Sequence, residues 1–391
     1  MINHLKKYAK NFNLNNNNFL NISPKIFTFI EISDFLLKKK YPYYFYKNEK
    51  FTNFFWTEYR LIFLNKKYDD KKFISKVKKY FGPKNFLELV TIYSGLLIIG
   101  KFSMALKVRV LLEKIVKKKK FVIKSNYIKK ILDPVNSLNI KKSFKFKKKD
   151  FIDKRTNIFQ EEYKKYLEKK SVAVVGVLET RLKNGKDIEK KDVVVKLNYI
   201  SNKNYSNKLT QSSRCEVSYL NDHTVNNRIS LLKKNYKPKF VVIKNTAKKK
   251  LKNIPKTNQV ISNQHDIYIL GTPSLLIRTI LDLMKYNLSE IKIFNSSIYL
   301  PINKKVKRQN LKHSPKLLLL KKKYKIHATA SAFVIHDIVS EFLIMQKLVK
   351  NNLIKVDKNL QRVLNLGLNL YLQKMEKFYK KSIRIMLLNK F

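Results

Sequence analysis

The chain has 391 residues, 44% of them hydrophobic and 12% aromatic, enough apolar material for a sizeable core and too much for a disordered tail. Lys and Arg number 85 against 27 Asp and Glu, a formal charge of +58 that ordinarily points to nucleic acid or to an anionic membrane. Lysine far outnumbers arginine, the side chain that forks onto phosphates and bases, so no specific nucleic-acid partner is expected and much of the charge is read as the signature of AT-rich codons. The single cysteine, Cys215, excludes an internal disulfide and a cysteine-based zinc cluster.

The N-terminal stretch carries an asparagine run, Asn15 to Asn18, and no apolar segment ahead of a small-residue cleavage site, so no secretory leader is expected. From Phe51 to about Lys124 the apolar residues fall at helical spacing, and two such segments form a predicted hairpin turned at Gly100. The longest apolar run, Leu87 to Gly100, contains Glu88 and falls short of the roughly 20 residues a membrane span needs. The expectation is an N-terminal helical module over residues 1–125 in a cytoplasmic protein, peripheral at most at the inner membrane surface.

Lysine-rich runs between Lys117 and Lys170, with Asp133-Pro134 as a turn signal, predict a basic linker over 126–168. Such a linker is either a solvated connector or a patch for anionic lipid. Beyond it, over 169–391, short apolar runs alternate with helical stretches: VAVVG, VVVKL, EVSYL, KFVVIK, DIYIL and EIKIF are the strand candidates. That alternation predicts an α/β sheet with crossover helices, followed by helices from Ala328 onward.

Three places in this last region carry candidate chemistry. Val172 to Val175 is a continuous apolar run ending at Gly176, and Val193, Val194, Val195 and Leu197 repeat the pattern ahead of Asn198. A glycine lets backbone approach a ligand, and the carboxyl ends of strands are where open α/β sheets bind their ligands. Asn198 can both donate to and accept from a phosphate or ribose; its alternative reading is a turn residue. Thr272-Pro273-Ser274 opens an apolar helix, so either hydroxyl reads as an N-cap, and the same helix start is suited to an anion. His336 and Glu341, five positions apart, fit a histidine at a helix start with the glutamate in its first turns; an imidazole there can take a hydroxyl proton near neutral pH.

Taken in order, these segments resemble the large, small and very small sialylmotifs of the family 29 sialyltransferases, particularly the bacterial members. The large motif is matched by VAVVG, NGKDI with Asp192, VVVKLN and SSRCEVSYLN, the small one by Thr272-Pro273-Ser274 and its helix, and the very small one, H-x4-E, by His336 and Glu341. The likeness covers about the C-terminal half. It implies a Rossmann-like α/β/α sandwich of the variant GT-A type that moves a sialic or related nonulosonic acid from a CMP donor to an oligosaccharide or glycolipid hydroxyl, with inversion. It further implies His336 as general base, with Gly176, Asn198, Thr272, Ser274 and Glu341 on the donor side, and His327 as a second histidine candidate. No Asp-x-Asp occurs in the chain, which agrees with a metal-independent enzyme of a donor with one phosphate and no cofactor. The chain departs from the family at Val177-Leu178, where animal members carry Asn-Ser, at Lys196, where Arg is usual, and at Ser274-Leu275-Leu276, where Ser-Thr-Gly is usual. An inactive family member and a basic RNA-associated protein are the alternatives.

Overall fold

The computed structural model describes residues 70–80, 89, 92, 93, 96, 97, 100–117, 154–178, 180–199, 207–221, 224–225, 238–244, 258–262, 273–300 and 336–388. Thr272, His327, the asparagine run and the basic stretch 118–153 lie outside them. In chain order the elements are α1 (Asp70–Tyr80), α2 (Phe102–Lys117), α3 (Lys154–Leu167), β1 (Ser171–Val175), α4 (Gly185–Glu189), β2 (Val193–Leu197), α5 (Lys208–Gln211), β3 (Val217–Tyr219), β4 (Phe240–Lys244), β5 (Asn258–Ser262), α6 (Leu275–Leu283), β6 (Glu290–Phe294), α7 (Ile338–Lys350), β7 (Lys355–Val356), α8 (Lys358–Asn365) and α9 (Gly367–Leu388).

The strands form one seven-stranded sheet in the order β5-β4-β3-β2-β1-β6-β7, with every neighbouring pair parallel. Val172 lies beside Val193 on one side and beside Ile291 on the other, so β1 is a central strand. A central strand of a parallel sheet is covered on both faces, which is why its residues are apolar without alternation. Val172, Val174, Val193, Val195, Val217, Tyr219 and Ile293 enter the larger core on one face. Ala173, Val175, Val194, Val241, Ile243 and Phe294 form a second, smaller core on the other.

The larger core also contains Val77, Leu89, Ile92, Tyr93, Leu96, Leu97, Met104, Val108 and Leu112. The N-terminal residues therefore share one buried cluster with the sheet, with α2 packed on α9, and the described residues do not show a separate module ending at 125. Gly100 turns the chain as its sequence predicts: it adopts φ +75°, and the amides of Gly100 and Lys101 donate to the carbonyls of Leu97 and Leu96 at 3.1 and 2.9 Å. A side chain at that left-handed φ is strained, which is why glycine ends the helical stretch.

The expected linker is also corrected over its last part. Residues 154–167 are helical, and Tyr163 and Leu167, one turn apart, are both fully buried in the larger core. The Tyr163 and Tyr219 hydroxyls lie 3.2 Å apart, and Tyr219 donates to Asp282 on α6 at 2.8 Å. Tyr163 and Leu167 tie this charged helix down, while Glu161, Glu162, Lys164 and Lys165 face water.

Candidate functional site

The chain runs outward from β1 through β5 and then returns to place β6 on the other side of β1. The gap beyond the carboxyl ends of β1 and β6 is thus the point where the winding reverses, the place where open α/β sheets hold ligands. Helix α6 leads into the start of β6 and α7 into the start of β7, so the N-termini of both helices lie at this same carboxyl edge. Helix N-termini carry partial positive charge and favour anions nearby.

Asn198 sits at the edge, directly after β2, with φ +54° and only 9% exposure. Asparagine tolerates this left-handed conformation better than most residues. Its Oδ1 accepts from the Asn221 amide and from the Thr224 hydroxyl, both at 3.0 Å, and its own amide donates to the Tyr219 carbonyl at 2.7 Å. The turn reading is met, since Oδ1 organises the loop after β3, and Nδ2 is the group of this side chain that these bonds leave over.

Gly176 has a different reason to be glycine from the one its sequence suggests. Its N–H donates to the Phe294 carbonyl at 2.8 Å, so this amide is not available to an anion. A Cβ at this position would lie 2.4 Å from the Asn295 carbonyl oxygen, so the glycine is required by the close approach of the segment leaving β6.

That segment holds a residue the sequence reading missed. Asn295 follows β6 as Asn198 follows β2, with a nearly identical φ of +55°, and is fully buried. Its Oδ1 accepts from Thr180 at 3.1 Å and from Asn184 at 2.9 Å, its Nδ2 donates to the Thr210 carbonyl at 2.7 Å, and its amide donates to Asp357 at 2.7 Å. Asp357 caps α8 through the Leu360 amide, and burial raises its carboxyl above the usual range against these hydrogen bonds. The apolar-run-then-asparagine signal that singled out Asn198 is present in EIKIFN as well. Three residues on, Ile298 and Tyr299 take φ +44° and +68°. For a β-branched residue such as Ile298 this is a strained conformation, of order 1–3 kcal/mol, and strain of that kind collects at functional sites.

The small and very small motif segments meet directly. Ser274 caps α6 by accepting from the Ile277 amide at 3.4 Å, and its own N–H donates to the Glu341 carboxylate at 2.8 Å. Glu341 is 2% exposed and lies inside the first turns of α7, as its spacing from His336 predicts. Its role here is to orient the start of α6. The Ser274 hydroxyl accepts from the helix and keeps its proton to donate outward.

His336 is half-buried, one residue before the N-cap of α7, with its ring nearly parallel to that of Tyr299 and offset from it, 6.3 Å between centroids and 20° between planes. The cap itself, Asp337, is a second residue missed, although Asp-x-x-Ser ahead of an apolar run is a helix-start signal. Asp337 accepts from the Ser340 amide at 3.0 Å and from the Ser340 hydroxyl at 2.8 Å. It also accepts from Tyr93 at 2.7 Å. Arg109 completes the cluster, donating to Ser340 Oγ at 2.7 Å, with its guanidinium 3.8 Å from Asp337 and 3.0 Å from Glu113. Burial opposes the Arg109 charge, but the neighbouring Tyr93 and Asp337 hold its pKa above the ordinary value, and burial followed by the Asp337 charge pushes the Tyr93 phenol well up. The helices before residue 117 thus fix the backbone next to His336.

Lys196 is fully buried and donates to the Ser212 carbonyl at 3.0 Å; burial lowers its pKa to about 8. It acts as a tether between β2 and the segment before β3. A last link closes the edge: Arg278 on α6 donates to the Leu220 carbonyl at 2.8 Å, beside the Asn198 loop. Asn198 and Ser274 are therefore linked through Asn221, Leu220 and Arg278, and Ser274 bonds Glu341 directly, while Gly176 and His336 each lie against the segment after β6, at Asn295 and Tyr299.

Among the described residues, no helix is long and apolar enough to cross a membrane. A scan of the chain against protein-family models finds no match, and a search of curated proteins finds none.

Proposed function

We propose that the carboxyl edge of the sheet binds a CMP-activated sialic or related nonulosonic acid and transfers the sugar to a hydroxyl of an oligosaccharide or glycolipid. The observation that carries this reading is the hydrogen bond from the Ser274 amide to Glu341, which joins two motif segments 67 residues apart at the starts of two helices aimed at one edge. On this reading the fold is the Rossmann-like, variant GT-A arrangement of the family 29 sialyltransferases. In the step proposed, the acceptor oxygen attacks the anomeric carbon from the face opposite the phosphate. The bond from that carbon to the phosphate oxygen breaks, its electron pair leaves with CMP, and the acceptor proton passes to the His336 imidazole. Asn198 Nδ2, the Ser274 hydroxyl and the positive ends of α6 and α7 stabilise the departing phosphate.

The test is a calorimetric titration with CMP. Asn198→Asp keeps the Oδ1 acceptor and tolerance of positive φ but removes the Nδ2 donor, so the loop should stay in place while CMP binding weakens by about 1–3 kcal/mol. Ser274→Ala should weaken it on the same scale, with about 1 kcal/mol of helix stability lost alongside. Equal CMP affinity in wild type and both variants would move the nucleotide away from this edge.

A further inference from the structure

The strained loop after β6 is closed on itself where the Leu300 amide donates to the Ser297 carbonyl at 3.0 Å, and it is held from outside as well. Two tyrosines of α9 reach across to it: Tyr371 donates to the Ile298 carbonyl and Tyr379 to the Tyr299 carbonyl, each at 2.5 Å. Both tyrosines are fully buried, and their spacing of eight places them on one stripe of the helix, two turns apart. Tyr371 also stacks on Phe342 of α7, with ring centroids 4.5 Å apart, so the same side chain touches the helix that begins beside His336. The two carbonyls belong to the residues at φ +44° and +68°. What that backbone achieves is the placement of the Tyr299 ring alongside the His336 imidazole.

We infer that Tyr299 is the positioning residue for His336, and that Tyr371 and Tyr379 of the C-terminal helix hold it in that role by fixing the strained backbone at Ile298 and Tyr299. The inference rests on the transferase reading for what His336 does, but the clamp is a matter of geometry and stands apart from it. Three elements converge near one imidazole: the loop after β6 supplies the ring, α9 supplies two hydroxyl donors to that loop, and α7, which His336 precedes, supplies Phe342. The cap at Asp337, tied to Tyr93 and Arg109 of the N-terminal helices, fixes the backbone on the other side. A half-buried histidine with one flank on an aromatic ring has its swing limited, which is what a proton acceptor needs in order to meet a hydroxyl at a fixed place. Tyr299 touches no reacting atom in this account and acts through His336.

The experiment compares the full-length wild type with Tyr299→Leu, Tyr299→Phe, Tyr371→Phe and Tyr379→Phe. The His336 ring-proton signal is followed by NMR and identified among the six histidines by its loss in His336→Gln. A stacked ring shifts that signal, so Tyr299→Leu should move it and Tyr299→Phe, which keeps the ring, should largely restore it. Deleting either clamping hydroxyl should move it in the same direction as Tyr299→Leu. Steady-state transfer should show kcat lowered by roughly 10–100-fold in Tyr299→Leu, with the donor KM little changed, because misplacing a catalytic group affects the reacting geometry more than the binding of CMP. Should Tyr299→Leu fail to fold, the two hydroxyl deletions carry the test, since each removes one oxygen. A His336 signal and kcat unmoved in all of them would overturn the clamp. A signal that moves while wild type transfers no sugar would overturn the transferase reading and leave the clamp standing.

Discussion

Replacing His336 by glutamine is expected to lower sugar transfer by about 10²–10⁴, the usual contribution of a positioned general base, while CMP affinity and folding stay near wild type. Glutamine keeps polarity and approximate size but cannot take the proton. His336→Ala should be about as damaged. The expectation of an intact fold comes from the surroundings. His336 precedes the N-cap, and the bonds that start α7 are made by Asp337 and Ser340, so the helix start does not depend on the imidazole. Single-turnover transfer to a lactose-like acceptor is the measurement, and a wild-type rate in either variant would remove His336 from the mechanism.

The largest effect on stability is expected at Arg109. Arg109→Met fills a similar volume but leaves Asp337 fully buried without its nearby cation. Breaking one side of a buried ion pair typically destabilises by about 3–5 kcal/mol, and urea unfolding should show a loss on that scale. Glu113, the other acid on Arg109, is part-exposed, so its loss of a partner adds little. Adding Asp337→Asn to Arg109→Met removes the stranded charge while keeping a capping oxygen, and should recover a good part of the loss. A double variant no more stable than Arg109→Met would mean that the guanidinium acts through packing, not through Asp337. Because Asp337 is the neighbour of His336, Arg109→Met should also reduce transfer by the protein that remains folded.

Much of the sheet was legible in the chain because strands buried on both faces must be apolar throughout. β1, β2, β3, β4 and β6 coincide with VAVVG, VVVKL, EVSYL, KFVVIK and EIKIF. The edge strand β5, NQVIS, escaped that test: it is bonded on one side only and places Val260 in the core. The remaining strand candidate, DIYIL, lies outside the described residues. β7 is two residues long, too short for any periodicity to register. Helix α3 read as linker because its buried anchors, Tyr163 and Leu167, stand among lysines and glutamates that dominate the composition.

At the site, the spacing of His336 and Glu341 carried its geometric content intact, since helical turn arithmetic is local. What Glu341 touches was beyond local arithmetic, for Ser274 is 67 residues away. Arg109 and Tyr93 were hidden for the same reason: a buried ion pair 228 residues apart in sequence looks like an ordinary polar residue on a helix. Gly176 was recognised as special, but the neighbour that requires glycine there, the backbone of Asn295, is 119 residues away and so beyond local arithmetic. Asn295 itself could have been found by the rule applied to Asn198.

The most direct test is donor turnover by the purified wild-type protein, with CMP-sialic acid, a lipooligosaccharide or lactose-like acceptor, and chelator in excess. The account predicts CMP release matched one for one by sialylated acceptor, at a rate the chelator does not change. No acceptor-dependent CMP release, or a strict need for magnesium or manganese, would contradict it.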